Sequence, residues 1–249
     1  MPRFKLTIEY DGTGLVGWQR QTSGPSVQQF LEEALVKLAC AHAEIAAAGR
    51  TDAGVHATAQ VVHVDIDRPM KPDAVRDGLN YWLRGEEKTS SVIVLLAEPA
   101  PEGFHARFSA VGRQYVYRIL NRRAAPVLDA RRVWWIPKPL DVEAMHEAAQ
   151  RLVGHHDFTS FRSIECQAQS PMKTLDKLDV IRVGDEIRFE VASRSFLHHQ
   201  VRNMVGTLKR VGDGKWTADK VTEILQARDR CVAGPTAPAY GLYLTGVSY

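Results

Sequence analysis

The sequence lacks the features that usually identify secreted, zinc-binding and membrane-spanning proteins. Its 249 residues include three cysteines, Cys40, Cys166 and Cys231, too few and too far apart for a zinc spacing or a disulfide framework. No apolar run is long enough to cross a bilayer. The first residues, MPRFKLTIEYDG, predict a strand rather than a signal segment. We therefore expect a cytoplasmic protein that does not bind a membrane.

An excess of charge of one sign is also missing, because the formal net charge is +3. A total this small does not by itself indicate a nucleic-acid partner. Positive charge is concentrated in the segment NRRAAPVLDARRVWW, where four arginines lie close to Trp134 and Trp135. Such a cluster can follow phosphates and stack on bases. For this segment taken alone, a solvated edge with two core tryptophans is the slightly better explanation.

The composition is that of an ordinary folded protein, with 45% apolar and 24% charged residues. Periodicity in the first half predicts strands RFKLTIEY, QVVHVDI, SVIVLLAE and RQYVYRIL and helices SVQQFLEEALVKLA and KPDAVRDGLNYWL. The second half predicts a helix ending at Gly154, a hairpin turning at Gly184-Asp185, helices HHQVRNMVGTLKRVG and TADKVTEILQAR, and a last strand GLYLTGVSY. We predict an α+β fold of two similar halves, residues 1–110 and 111–249, with mainly antiparallel sheet and flanking helices.

Two patterns suggest cofactor or metal sites but lack the context that such sites need. The segment from Gly12 to Gly17 matches G-x-G-x-x-G, yet WQRQTSGPS follows it instead of a helix, so we predict a tight glycine-rich turn and no nicotinamide or flavin site. The histidines lack metal-ligand spacing, and the side chains of the adjacent His198 and His199 should diverge. We therefore predict no metal site.

The segment AAAGRTDAGVHAT is the strongest candidate for chemistry, because it places Arg50 and Asp52 on a backbone of small residues. Such a backbone lets a substrate come close to the Asp52 carboxylate. A neighbouring cation favours the ionised carboxylate, which can act as a nucleophile at a sugar or base carbon. A structural Asx-turn is the commoner role for an aspartate in such a loop.

The segment AGRTDAGVHA resembles the signature of the tRNA pseudouridine synthase A family. Further segments are similar in the family's order over nearly the whole chain: EYDGTGLVGWQRQ, FHARFSAVGRQYVYRI, DFTSFRS, HHQVRNMVGTL and RCVAGPTAPAYGLYL. The resemblance implies the pseudouridine synthase fold, with an active-site cleft between the two halves. It implies an isomerase that detaches uracil from ribose, rotates it and rejoins it through C5. The implied substrates are uridines on the 3′ side of the tRNA anticodon stem-loop, and the implied enzyme is a homodimer without metal or cofactor.

The resemblance also assigns catalytic roles. Asp52 is the nucleophile, and three routes remain open for it: attack at ribose C1′, attack at uracil C6, or proton abstraction toward a glycal. Tyr115 should stack on the target uracil and assist the proton step at C5, whereas Tyr117 should face the opposite side of the strand, in the core. Arg202 should pair with Asp52, with room left beside it by Gly206. Arg50 should enter the helical stack as the target base leaves.

Further tRNA contacts follow by position in the family's pattern. They are Phe104, His105, Ala106, Arg107, Phe108, Arg123, Glu165, Cys166, Gln167, Ala168 and Gln169. As a strand, FHARF would place Arg107 opposite Phe104, Ala106 and Phe108. Leu244 should pack beneath the active site.

Two departures from the family pattern concern details. Ala59 stands where glycine is expected, and the loop Arg84–Ser91 replaces the usual Leu-Pro and Asp-Ile pairs. Neither touches the catalytic set. Two other function classes stay open at this point: a non-catalytic RNA-binding or chaperone module, and a nucleotide-binding oxidoreductase suggested by the glycine-rich turn.

Overall fold

The computed structural model describes residues 2–38, 45–84 and 89–249. Cys40 and part of the loop Arg84–Ser91 lie outside these residues. The chain divides into two compact units, Met1–Val111 with Tyr243–Tyr249, and Gly112–Leu242. The last strand, which we expected with the C-terminal half, therefore belongs mainly to the first unit.

The first unit is an α+β unit built on a mostly antiparallel sheet. Its elements are β1 (Arg3–Tyr10), α1 (Val27–Leu38), β2 (Ile45–Ala47), β3 (His56–Asp65), α2 (Pro72–Arg84), β4 (Val92–Pro99) and the last strand of the chain, β10 (Leu242–Ser248). The strand order is β4-β1-β3-β10, with β2 also paired to β3. The β3–β10 pairing is parallel and the others are antiparallel. In β1 every second residue from Phe4 to Tyr10 is buried, as the alternating sequence predicts.

The helices of the first unit begin and pack as their sequences predict. Ser26 Oγ accepts a hydrogen bond from Gln29 N at 3.2 Å, which caps the start of α1. On α2, Asn80 donates to Val94 O and accepts from Val94 N, both at 2.8 Å. The Asn80 side chain thus satisfies the main-chain N–H and C=O of Val94 in the edge strand β4.

The second unit repeats the same kind of architecture. Its elements are β5 (Gly112–Leu120), β6 (Trp134–Trp135), α3 (Val142–Gln150), β7 (Gly154–Asp157), β8 (Met172–Val183), β9 (Glu186–Ser193), α4 (Gln200–Gly212) and α5 (Ala218–Ala227). The antiparallel order is β5-β9-β8-β7, with β6 added in parallel to β5. The predicted hairpin at Gly184-Asp185 is confirmed. Helix α3 ends at Gln150, earlier than predicted, and Gly154 with φ of 114° opens β7 instead.

Helix α4 packs backbone against backbone on the segment 234–237. Ala237 N donates to Arg202 O at 3.1 Å, and Gly234 N donates to Thr207 Oγ1 at 3.0 Å. A Cβ on Gly206 would overlap Pro235 O. The expected room beside Gly206 is thus filled by this segment. Within the described part of the chain, no helix combines the length and the apolar character that crossing a bilayer requires.

We expect Gly206→Ala to lower the free energy of unfolding by about 2 kcal/mol or more, because a main-chain carbonyl cannot move aside as a side chain can. Gly78→Ala is the matched helical control. Its Cβ would meet Cδ1 of Leu38 at 2.5 Å, the end of a flexible side chain, and alanine favours the helix by about 1 kcal/mol. Urea unfolding of both variants measures the difference. Equal stability of the two variants would contradict the close packing of α4.

Candidate active site

Asp52 lies in the connection between β2 and β3, where the chain packs closely on the Gly12–Gly17 turn. A Cβ on Gly12 would overlap Val55 O. Gly17 has φ of 103°, and its Cβ would lie 2.6 Å from Thr51 O. The predicted glycine-rich turn is confirmed, and both glycines serve this approach to the Asp52 loop, residues 48–55.

Main-chain hydrogen bonds fix the Asp52 loop on that turn. Trp18 N donates to Thr51 O at 3.0 Å, and Gly54 N donates to Leu15 O at 3.3 Å. Within the loop, Val55 N donates to Asp52 O at 3.2 Å. The loop conformation is therefore set on both sides of the Asp52 side chain.

Two buried polar side chains from the sheet also hold this loop. Tyr10 OH lies 2.8 Å from Thr51 Oγ1, and Gln60 Nε2 donates to Gly49 O at 2.7 Å. Burial raises the pKa of Tyr10 to about 12, against the opposing effect of its hydrogen bonds to Thr51 and Gln60. Sequence reasoning missed Tyr10 and Gln60. The available signal was a polar group at a core position of each strand. Tyr10 lies within the EYDG segment, and Gln60 follows the AGRTDAGVHA segment.

Asp52 is half-buried and Arg50 is exposed. Leu244 of β10 is fully buried and pairs with Ala57 at the start of β3. Tyr243 stacks on His56 with ring centroids 4.7 Å apart. The end of the chain thus packs against the strand that leaves the Asp52 loop.

The segment from Phe104 to Phe108 is a turn, so its interpretation as a strand is wrong. Two imidazoles accept its main-chain N–H groups. His63 Nδ1 accepts from Ala106 N at 3.1 Å, and His105 Nδ1 accepts from Arg107 N at 3.1 Å and Phe108 N at 3.3 Å. Phe104 and Ala106 are buried, whereas Phe108 is 75% exposed. Phe108 therefore does not share a face with the other two.

In the second unit, Tyr115 and Tyr117 point to the same face of β5. The β5–β9 pairing runs from Arg113 to Leu120 without a register shift, so residues two apart share a face. The prediction of opposite faces is wrong, although Tyr117 is fully buried as expected. Tyr117 OH donates to Pro238 O at 2.8 Å, and burial raises the pKa of Tyr117. The half-buried Tyr115 contacts Phe196 edge-on, with centroids 5.2 Å apart.

Arg202 lies in the first turn of α4, and its guanidinium Nε donates to Ala237 O at 2.8 Å. The residue before the helix, His199, has φ of 62°. This backbone turn brings the rings of His198 and His199 to a centroid distance of 4.0 Å. Our expectation that the two side chains diverge is therefore wrong.

The other predicted contact residues of the second unit lie in loops. Arg123 is exposed in the connection between β5 and β6, and the segment from Glu165 to Gln169 is largely exposed before β8. The tryptophans near Arg123 are engaged within the unit: Trp134 contacts Tyr117 edge-on, and Trp135 Nε1 donates to Arg122 O at 2.9 Å. The core position proposed for these tryptophans is wrong for Trp135, which is 38% exposed, and Trp134 is half-buried at the edge of the core.

Comparison with known proteins gives a family match and close relatives. A family model described as tRNA pseudouridine synthase matches residues 6–109 and 148–249. The chain is 62% identical over 249 residues to tRNA pseudouridine synthase A of Paramagnetospirillum magneticum, covering 100% of this chain and 96% of the relative. It is 59% and 55% identical to the proteins of the same name from Rhodospirillum centenum and Mesorhizobium japonicum, with complete coverage of both chains in each case.

The buried phenol of Tyr10 predicts a pH dependence of stability. The unfolded phenol loses its proton near pH 10, while the folded one holds it to about 12, so unfolding releases a proton in this window. The free energy of unfolding should fall with rising pH by up to about 1.4 kcal/mol per pH unit from this group. In urea unfolding between pH 9.5 and 11.5, roughly spanning that window, Tyr10→Phe should show the shallower decline. Tyr81→Phe, which changes a phenol that is 69% exposed, should keep the wild-type slope.

Proposed function

The chain belongs to the tRNA pseudouridine synthase family, and from this premise we propose that it isomerises uridines on the 3′ side of the anticodon stem-loop with Asp52 as nucleophile. The family is one of isomerases that convert uridine in tRNA to pseudouridine. The position of the target uridine and the role of Asp52 are the parts that we propose.

The observation that carries the proposal is the fixed backbone on both sides of Asp52. The carboxylate belongs to a loop in which Thr51 O accepts from Trp18 N and Asp52 O accepts from Val55 N. The same loop packs closely on the Gly12–Gly17 turn. A nucleophile gains most when its geometry is set before the substrate arrives. In the reaction, the bond from N1 to C1′ breaks and a bond from C5 to C1′ forms. The proton of C5 is lost to solvent and N1 gains one, so the isomerisation is redox-neutral and requires no redox cofactor.

The remaining roles follow the family resemblance. We assign to Tyr115 the stacking on the uracil and the proton step at C5. To Arg202 we assign the pairing with the Asp52 carboxylate. Arg50 is exposed beside Asp52, which suits insertion into a helical stack when the base is extruded at a cost of a few kcal/mol. We propose that the exposed side chains of Phe108 and Arg123 and the largely exposed segment 165–169 contact the rest of the anticodon arm.

We further propose that the enzyme is a cytoplasmic homodimer. Two copies of a chain with a net charge of +3 double the positive charge available to one tRNA. Recognition of RNA shape then supplies the remaining selectivity.

Asp52→Ala should abolish pseudouridine formation, because the carboxylate is the reacting group. Binding of tRNA should stay within about tenfold of wild type, or about 1.4 kcal/mol. Pseudouridine mapping of an unmodified tRNA transcript measures the product, and filter binding measures affinity. Asp67→Ala, which removes an exposed carboxylate of the same unit, should keep full activity. Turnover by Asp52→Ala would refute the nucleophile. Tight binding without product by the wild type would favour the RNA-binding module.

Binding of tRNA should weaken steeply with salt, because contacts between arginine and phosphate release counterions. A plot of log Kd against log salt concentration between about 50 and 200 mM measures this dependence. Arg123→Gln should reduce the slope by about one charge. Arg76→Gln is the control, since Arg76 is engaged by Asp73 and Asp77 at 3.1 and 2.7 Å. A flat response of the wild type would contradict a basic binding surface.

A further inference from the structure

Tyr10 and Gln60 place two polar groups in the core of the first unit, close to each other on adjacent strands. Tyr10 ends β1 and Gln60 lies in β3, with Ile8 opposite Gln60 and Tyr10 opposite Ala57. Tyr10 is 2% exposed and Gln60 is fully buried. Burial of hydroxyl and amide groups is costly unless they are hydrogen-bonded. Neither strand needs them, because apolar residues of similar volume would fit the alternating pattern.

Both side chains contact the same stretch of chain, residues 49–51. Tyr10 OH lies 2.8 Å from the hydroxyl of Thr51, the residue directly before Asp52. Gln60 Nε2 donates to Gly49 O at 2.7 Å, while its Oε1 accepts from Val61 N at 3.2 Å. The two contacts therefore hold the chain on either side of Arg50. The contact at Thr51 lies one residue before Asp52.

We propose that Tyr10 and Gln60 are positioning residues that set the Asp52 carboxylate for catalysis through Thr51 and Gly49. This rests on the proposed role of Asp52. A small displacement of a reacting group reduces the rate by up to about 100-fold without weakening substrate binding. The Gly12–Gly17 turn fixes the main chain of the loop from one side, and the two buried side chains fix it from the sheet. The EYDG segment thereby gains a role in catalysis that no dinucleotide motif explains.

The test measures chemistry and binding separately. A tRNA transcript with uridine tritiated at C5 releases tritium as pseudouridine forms, so single-turnover release gives the rate and filter binding gives Kd. The variants are Tyr10→Phe, Thr51→Val, the double variant, and Thr51→Ser, which retains a hydroxyl. Asn80→Ala is the control, since it removes two hydrogen bonds of the same unit at the β4 edge.

We expect Tyr10→Phe and Thr51→Val each to slow the single-turnover rate by about tenfold or more, with Kd within about twofold. The double variant should be no slower than the slower single one, because each change already removes the shared hydrogen bond between Tyr10 and Thr51. Thr51→Ser should restore most of the rate, and Asn80→Ala should lose stability but not rate.

Three results would overturn the proposal: a full rate for Tyr10→Phe, multiplied losses in the double variant, or Thr51→Ser as slow as Thr51→Val. Where Tyr10→Phe does not fold, the comparison of Thr51→Ser with Thr51→Val decides alone. A wild-type enzyme without tritium release would instead refute the proposed function, so the two failures are distinguishable.

Discussion

The close approach of two main-chain segments, the Gly12–Gly17 turn and the Asp52 loop, is the constraint on which the candidate site depends. Side chains at Gly12 or Gly17 would occupy the space of Val55 O and Thr51 O. With these positions open, Trp18 N reaches Thr51 O and Gly54 N reaches Leu15 O. On this side the loop is thus held by main-chain contacts, which small residues permit and larger ones would prevent.

The second unit has the same kind of close main-chain packing around Arg202. Gly206 and Gly234 let α4 and the segment 234–237 meet main chain to main chain. Asn203 and Arg230 then lock the segment: Arg230 donates to Gly234 O and to Asn203 Oδ1, at 2.9 and 3.1 Å. Because the segment is fixed, Ala237 O is in place to accept from Arg202 Nε. The orientation of this guanidinium therefore depends on residues distant from it in sequence.

Most elements could be predicted because their signals are local. The alternating residues of β1 and the Gly184-Asp185 hairpin are local patterns. The small residues around Arg50 and Asp52 singled out the Asp52 loop, and the family resemblance gave Asp52 its expected role. The turn at Phe104–Phe108 could not be predicted, because the acceptor for Ala106 N is His63, 43 residues away. The His198–His199 contact depends on a left-handed backbone that no local pattern indicated. The error at Tyr117 was one of strand periodicity, since burial there reflects Pro238 and Gly241 rather than a change of face.

The net charge of +3 does not show which positive charges are already compensated by ion pairs within the protein. Arg3 is paired with Asp65, and Arg118 with Glu186, so their charge is largely compensated within the protein. Among the residues that the structure describes, the side chains of Arg50 and Arg123 have no such partner. An uncompensated guanidinium keeps its donors and its planar face for an external group, whether phosphate or base. The distribution of paired and unpaired arginines therefore says more about RNA binding than the total of +3 does.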